Sequence, residues 1–496
     1  MMSSPSDVSS HAAALDRARK KAYWRLLPLL FVSYMIAYVD RQNVAVAKLT
    51  MTHDLPGFDN GVIGFGAGIF FLGYFLLEIP GSLMVERWSA RKWICRIMIT
   101  WGLMAGLTGF VQYPLPVLSQ LSAGVAAIAH AVCSLLSHLP VTGIASWAKG
   151  IFAMAEGPNH VSVFQFVTVR FLLGLAEAGF FPGVVVYLTH WFPSKDRARA
   201  LATFLIATPF AQIISPKISD ALLKIGSGPD HPPVFGMVGW QWVYVFWALP
   251  AIVLGLMVLF WLVDKPSQAR WLSDEEAEAL ESELERERAE TRKGKRMTVT
   301  QALRHPKVLL LAAAYFCTVT GSYGVEFFMP SILKDWYKMD MGQLTWLIML
   351  PPAVAMIGQL ITGWSSDHFK ERRWHAVIPI LMGSLALGLM PQTQGHLPLT
   401  ITCFAFAYAG FKSYMPAFWA LPSMFLTESA AAGSIGLINS FGNLGGFLGP
   451  NVLGTVQQLT GSFVGGLYYL CCSMLVSATI IFSFGLGKKE KDTAAE

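Results

Sequence analysis

The chain has 496 residues, of which 54% are hydrophobic and 14% are charged, and its mean hydropathy is +0.48. In soluble proteins roughly a quarter of all residues are charged, so this composition excludes a soluble globular protein. It predicts an all-α polytopic membrane protein, since helices satisfy every backbone hydrogen bond inside lipid. The formal net charge of +6 is explained by basic loops, so no nucleic-acid partner is expected.

Apolar runs of about 20 residues, long enough to cross the hydrocarbon core, recur along the whole chain. They fall into two groups of six, separated by a polar stretch, which predicts twelve transmembrane helices in two pseudo-symmetric six-helix bundles. The predicted spans are 26–47, 61–85, 93–112, 161–188, 200–222, 240–263, 307–330, 344–366, 375–391, 398–425, 432–453 and 463–487.

Basic residues set the expected orientation, because cytoplasmic loops are enriched in Lys and Arg. They cluster before the first span and after alternate spans, which predicts cytoplasmic termini in a bacterial inner (plasma) membrane, with no cleaved signal peptide. The predicted organisation is a cytoplasmic segment 1–25, an N-terminal bundle 26–263, a cytoplasmic linker helix 264–306, a C-terminal bundle 307–487 and a cytoplasmic tail 488–496.

Two polar segments interrupt the regular pattern of spans. An external insertion at 113–160 contains the apolar stretch Val117–Leu139, interpreted as a re-entrant or interfacial helix because one extra crossing would invert the later loops. In the linker, Ser273 with Glu276 forms a capping box, which predicts the start of a solvated helix.

The same loop motif occurs in both halves at an offset of 281 residues (367 minus 86). Such a doubled membrane unit is typical of transporters whose site lies between the repeats. A carboxylate beside basic residues on a short loop also suggests a conformational clamp at a facing helix end. The predicted gating residues are Glu86, Arg87 and Arg91 in the first loop and Asp367, Arg372 and Arg373 in the second.

Ionisable residues inside spans are costly and therefore indicate function. Asp40 and Arg41 are adjacent in span 1, and Arg170 and Glu177 lie two turns apart on one face of span 4. Their charges balance if Asp40 pairs with Arg170, which leaves Arg41 free to bind a carboxylate with its planar fork. Glu177, in apolar surroundings, is expected to carry a proton at working pH. Closed structural ion pairs are the alternative, and Glu78 is interpreted as structural.

The second half adds polar and aromatic candidates. Asn439 and Asn443 lie four residues apart on one helix face and are predicted either to bind substrate or to bond a neighbouring helix. Trp419, close to Pro422, marks a breakable helix in span 10. No metal-ligand spacing occurs among the cysteines, and no nucleophile–base arrangement or cofactor loop is found, so an enzyme is not expected.

Several motifs occur in order along the chain, and together they resemble the major facilitator superfamily and, within it, the anion:cation symporter family. They are Tyr38-x-Asp40-Arg41-x-Asn43, Gly363-x-x-x-Asp367-x-x-x-x-Arg372-Arg373, Arg170-x-x-x-Gly174-x-x-Glu177 and Asn439-x-x-x-Asn443-x-x-Gly446. Glu326 and Lys412 depart from the family pattern. They are expected either to neutralise each other or to alter the charge preference for substrate.

The resemblance implies proton-driven import of a small organic anion, such as tartrate, a sugar acid or an aromatic carboxylate, by alternating access. It implies that Asp40 and Glu177 handle protons with Arg170 as partner, and that Arg41 binds the carboxylate. Tyr38, Tyr74, Trp419 and Asn439 match positions that line the substrate site. No cofactor besides protons is expected, and a monomer suffices. A proton-driven exporter of metabolites or drugs, and a non-transporting anion sensor, are the alternatives.

Overall fold

The computed structural model describes residues 5–137, 160–292, 304–369, 371–422 and 428–483, and no β-strand occurs in these ranges. The α-helices are α1 (Pro5–Asp54), α2 (Asn60–Arg87), α3 (Ala90–Thr108), α4 (Pro116–Ser137), α5 (His160–Glu177), α6 (Phe180–Thr189), α7 (Ser194–Leu205), α8 (Ala207–Leu223), α9 (Gly239–Trp261), α10 (Asp274–Arg292), α11 (Pro306–Tyr337), α12 (Met341–His368), α13 (Arg373–Leu389), α14 (Leu397–Ser413), α15 (Met415–Ala420), α16 (Glu428–Thr460) and α17 (Val464–Ser483). Short 3₁₀ helices cover Pro266–Gln268 and Met390–Thr393.

These helices form the predicted multi-pass architecture. Within the described ranges, nine helical spans are long and apolar enough to cross a membrane. The three remaining predicted spans correspond to α3, α14 with α15, and α16. Helix α3 begins with basic residues, α14 has only 17 residues, and α16 carries amides and glycines. Each of the three packs against several neighbouring helices.

The predicted repeat is visible in the helix boundaries. Helices α2 and α12 have 28 residues each. Their first residues, Asn60 and Met341, and their last residues, Arg87 and His368, are both separated by the same 281 positions as the loop motifs. The second span of each half therefore begins and ends at equivalent points.

The segment predicted as an external insertion contains α4 up to Ser137, and residues 138–159 lie outside the described ranges. Its external location stays a prediction. One face of α4 packs towards α5 through Leu118 and Ser122, which are buried. The other face exposes Val117, Leu121 and Ile128. An apolar outer face on a helix packed beside a membrane bundle is typical of contact with lipid.

The linker helix α10 begins with the predicted capping box. Glu276 N donates to Ser273 Oγ at 3.3 Å, and Ser273 N donates to the Glu276 carboxylate at 3.0 Å. The expectation of a solvated helix is wrong for one face, because Leu280 and Leu284 are buried. Glu276 also accepts from Lys21 Nζ at 2.7 Å, so the linker is fastened to α1.

The two bundles meet closely at the end remote from the chain termini. Lys48 Nζ of α1 donates to the Phe327 carbonyl of α11 at 2.8 Å, and Lys334 Nζ of α11 donates to the Leu49 carbonyl of α1 at 3.0 Å. Helices α2 and α16 approach so tightly there that a Cβ on Gly68 would lie 2.6 Å from the Phe447 carbonyl oxygen. This end of the protein is therefore closed.

Candidate functional site

Besides Lys48 at the closed end, seven further ionisable side chains are buried near the boundary of the two bundles. The acids are Asp40, Glu78, Glu177 and Glu326, and the bases are Arg41, Arg170 and Lys412, with exposed fractions between 0% and 9%. Each charge inside a membrane span costs at least ~2.5–3.5 kcal/mol on insertion scales. Their partners therefore determine what the site can do.

Arg41 and Glu177 form an ion pair inside the N-terminal bundle. Arg41 Nε donates to Glu177 Oε1 at 2.6 Å, and Arg41 also faces the rings of Tyr74 and Phe70 at 4.9 and 5.7 Å from their centroids. The prediction that Arg41 is free is therefore wrong in this conformation. Glu177 Oε2 is buried without a hydrogen-bond partner among the described residues, so it is an open acceptor for a proton.

A break in the fourth span positions Glu177. Helix α5 ends at this residue, and α6 begins at Phe180 after Gly179, whose φ of +86° is the left-handed region that favours glycine. A Cβ on Gly179 would lie 3.0 Å from the Cα of Gly81. Because α2 passes so closely, the break is fixed in place and holds Glu177 facing Arg41.

The predicted ion pair between Asp40 and Arg170 is not formed. Asp40 Oδ2 accepts from Trp101 Nε1 at 2.8 Å, and Asp40 Oδ1 accepts from Asn43 Nδ2 at 3.1 Å. Arg170 donates from Nε to the Gly66 carbonyl at 3.3 Å, and its two terminal nitrogens have no hydrogen-bond partner in the described part of the chain. The two charges interact only through space. The indole of α3, which the sequence analysis did not single out, satisfies Asp40 instead.

Glu326 and Lys412 neutralise each other, which was one of the two expectations for these residues; the other was an altered charge preference for substrate. Lys412 Nζ lies 2.9 Å from Glu326 Oε1, which also accepts from Ser322 Oγ at 2.8 Å. Across the bundle boundary, Glu326 Oε2 accepts from Tyr38 Oη at 2.7 Å and from Gln42 Nε2 at 2.9 Å. This carboxylate therefore joins the two bundles.

Glu78 forms a second connection between the bundles. Asn439 Nδ2 donates to Glu78 Oε1, and Asn443 Nδ2 donates to Glu78 Oε2 at 3.1 Å. Of the two alternatives for these amides, the structure shows bonding to a neighbouring helix. The structural interpretation of Glu78 is consistent with this contact.

Aromatic side chains surround the charged groups. Span 10 is broken at Tyr414, between α14 and α15, and Trp419 of α15 packs edge-on against Tyr315 at 5.0 Å between centroids. Tyr323, which the sequence analysis missed, packs against Phe71 of the other bundle at 4.5 Å between ring centroids, with the ring planes tilted by 54°. Its position three residues before Glu326, on the same helix face, was the available signal.

The predicted gating residues are only partly described. The side chains of Glu86, Arg87 and Asp367 lie outside the described residues. Arg91 forms an ion pair at 3.4 Å with Asp264, the first residue of the predicted linker, and not with the second bundle. Arg372 donates to Ser366 Oγ at 2.9 Å, and Arg373 donates to the Phe482 carbonyl, both within the second bundle. The clamp between bundles therefore stays a prediction.

No ligand or metal is needed to account for these contacts. In the described ranges, no group of three or more His, Cys, Asp or Glu side chains is arranged to hold a metal ion. What the site offers is exchangeable carboxylate–cation pairs, amides and aromatic faces between two bundles. These features define a secondary transporter for small polar solutes.

A family model described as Major Facilitator Superfamily matches residues 137–450. The chain belongs to this superfamily and is a multi-pass inner-membrane transporter of small metabolites. It is 35% identical over 464 residues to a protein of Agrobacterium vitis named "Putative tartrate transporter", covering 94% of this chain and 90% of that protein. It is 32% identical over 459 residues to a quinolone resistance transporter of Acinetobacter baumannii, covering 92% and 93%.

Solved structures agree on the fold. The xylose transporter XylE from E. coli, in a partially occluded inward-open conformation, superposes with a TM-score of 0.67 at 13% identity. The alignment covers 95% of this chain and 99% of that one. At this identity the likeness concerns the two-bundle fold alone.

Proposed function

We propose that the protein is a proton-coupled symporter that imports a small organic anion by alternating access. The observation that carries the proposal is the Arg41–Glu177 pair, in which the arginine suited to a carboxylate is occupied by a buried acid at 2.6 Å. An anion can replace Glu177 on Arg41 only if Glu177 becomes neutral, because two carboxylates would otherwise share one cation. Binding of the anion therefore requires uptake of a proton.

Charge balance supports the same coupling. An incoming carboxylate adds negative charge to a buried site, which a desolvated environment disfavours. Bound protons offset this charge, and Glu177 and Asp40 are the proposed carriers. Arg170, whose terminal nitrogens are unbonded, is the proposed partner that interacts with Asp40 after rearrangement.

The conformation fits a carrier that is closed at the end remote from the termini. The bundles are joined there by the contacts of Lys48 and Lys334. With the termini in the cytoplasm, as the loop charges predict, this closed end faces outwards. Proton and anion must both favour the occluded state for coupling, since tight binding alone shifts no equilibrium. We also propose that loop residues clamp the two bundles in one conformation and that the protein functions as a monomer. The clamping residues are Glu86, Arg87, Arg91, Asp367, Arg372 and Arg373.

Substrate contacts follow from the same geometry. Arg41 would bind the carboxylate, with Tyr38, Tyr74 and Trp419 as aromatic walls. Asn439 and Asn443 would bind substrate only after leaving Glu78, to which both now donate.

The test uses proteoliposomes that contain a pH-sensitive dye. Tartrate, aldonates, aldarates, phthalate and hydroxyphenylacetate are added outside, and internal acidification is recorded. We expect acidification by at least one compound, its loss in Glu177→Gln, and its retention in Glu285→Gln, a change at an exposed position of α10. Absence of acidification across the panel with correctly inserted protein would refute symport.

A proton-driven exporter is the second candidate, because the similar protein from Acinetobacter baumannii is named as a quinolone resistance transporter. The same liposomes distinguish the two. An exporter would exchange solute for protons, so a substrate added outside would make the lumen more alkaline instead of more acidic.

A further inference from the structure

The site contains two ion pairs of the same chemical kind. Arg41 with Glu177 lies in the N-terminal bundle, and Lys412 with Glu326 lies in the C-terminal bundle, at 2.6 and 2.9 Å. Both pairs are buried, and a buried ion pair is often no more stabilising than apolar side chains of similar size. Stability alone therefore does not explain why the Lys412–Glu326 pair lies beside a transport site, and a functional role is the better explanation.

Tyr38 of α1 lies next to both cations. Tyr38 and Arg41 are three residues apart, so they are neighbours on one helix face with about 5–6 Å between Cβ atoms. The Tyr38 hydroxyl accepts from Lys412 Nζ of α14 at 3.3 Å. Both cations therefore lie within the reach of one small molecule placed beside Tyr38.

Lys412 has capacity for a further acceptor. Its ammonium group has three N–H donors, and its described oxygen partners are Glu326 Oε1 and Tyr38 Oη. Glu326, in contrast, is fully engaged, because Lys412, Ser322, Tyr38 and Gln42 all contact it. The pair therefore offers a cation to a ligand, not a free carboxylate, which favours an anionic group over an amine at this position.

We propose that Lys412 is a second carboxylate-binding residue and that the substrate is a small dicarboxylate held by Arg41 at one end and Lys412 at the other. This rests on the proposed symport function and deepens it. As at Arg41, the incoming carboxylate replaces the resident acid, and Glu326 takes up a proton. The protonated Glu326 keeps Tyr38, Gln42 and Ser322 as hydrogen-bond partners, so it is not left unsatisfied.

The proposal adds one proton to the count. Glu326 takes up a proton only when a second carboxylate replaces it on Lys412, so a dicarboxylate is expected to move one proton more than a monocarboxylate. Glu326, which the substrate would replace on Lys412, also joins the two bundles because it accepts hydrogen bonds from Tyr38 and Gln42 of α1. Occupation of Lys412 by substrate thereby alters the boundary that must move during transport.

The experiment compares tartrate with threonate, which has the same four-carbon polyol acid skeleton but a hydroxymethyl group in place of one carboxylate. The proteins are wild type, Lys412→Arg, and the double variant Lys412→Met with Glu326→Gln, which removes both charges together. Binding is measured by calorimetry in nanodiscs, and protons per anion by dye-loaded proteoliposomes. Thermal unfolding is measured for each protein.

The double variant is expected to bind tartrate roughly tenfold to hundredfold more weakly, which is the effect of losing one charge-assisted contact. Its threonate affinity should change less than about twofold, and its proton count for tartrate should fall by one. Lys412→Arg should keep most tartrate binding. Equal losses for both anions, or no loss for either, in a stably folded variant would overturn the proposal.

Failure of the proposed symport function would give a different result from failure of the dicarboxylate proposal. If wild type acidifies the lumen with threonate and does not favour tartrate, symport stands and the dicarboxylate proposal falls. If wild type moves no proton with any acid of the panel, both proposals fall.

Discussion

Replacing Glu177 by Gln changes how anion binding depends on pH. The variant keeps the shape of the side chain but cannot compete with a substrate carboxylate for Arg41, which it faces at 2.6 Å. In wild type, above the pKa of Glu177, each anion bound requires one proton at this residue. The apparent affinity should then fall about tenfold per pH unit, or ~1.4 kcal/mol.

The difference between the two proteins isolates this residue from the other acids. Wild type and Glu177→Gln are titrated with the identified anion between pH 5 and 8 in nanodiscs, and the logarithm of the dissociation constant is plotted against pH. The slopes should differ by about one decade per pH unit. The empty variant should also be less stable, by roughly 3–5 kcal/mol, because Arg41 loses its partner in a buried site.

Equal slopes in the two proteins would refute the competition argument, whatever the absolute affinities. The exposed Glu285→Gln change controls for purification and lipid effects. An additional transport measurement separates coupling from binding: Glu177→Gln should exchange labelled anion across the membrane but fail to concentrate it.

Three further predictions follow from single contacts. Trp101→Phe removes the indole donor from Asp40, so uphill uptake should fall roughly tenfold or more while exchange persists; unchanged uphill uptake would contradict a coupling role for this contact. Gly68→Ala places a Cβ 2.6 Å from the Phe447 carbonyl and should weaken closure of the remote end by about 1–3 kcal/mol; labelling of a cysteine introduced at that end should rise, whereas Gly124→Ala, with open space around it, should have no effect. The Lys21 hydrogen bond holds the pKa of Glu276 below its usual value, so its stabilising contribution is present above the unfolded-state pKa, ~4.3, and lost as pH falls through the folded one. Glu276→Gln should therefore lower thermal stability at pH 7 by about 1 kcal/mol, and a difference that persists in acid would contradict the ion-pair explanation.

Helices and repeat could be predicted from the sequence because hydropathy and loop charge are local properties. Helices α2 and α12 accordingly share the offset of the loop motifs. The pairing of charges could not be predicted in the same way. Arg41 has two possible acidic partners, and the choice depends on Trp101 reaching Asp40 from α3 and on the break at Gly179. Both depend on three-dimensional packing. Mutual neutralisation of Glu326 and Lys412 was one of two expectations, and only the contact at 2.9 Å distinguishes it.

The reciprocal lysine contacts at the closed end have a consequence for the independence of the two ends of the carrier. Lys48 and Lys334 each donate to a main-chain carbonyl of the opposite repeat. A carbonyl acceptor does not change its charge with acidity, and it is retained whatever side chain occupies positions 49 and 327. The acceptors of this closure therefore respond neither to acidity nor to substitution of those side chains. Acid sensing can then evolve at the centre of the protein, with the substrate, without redesign of the contacts at the closed end.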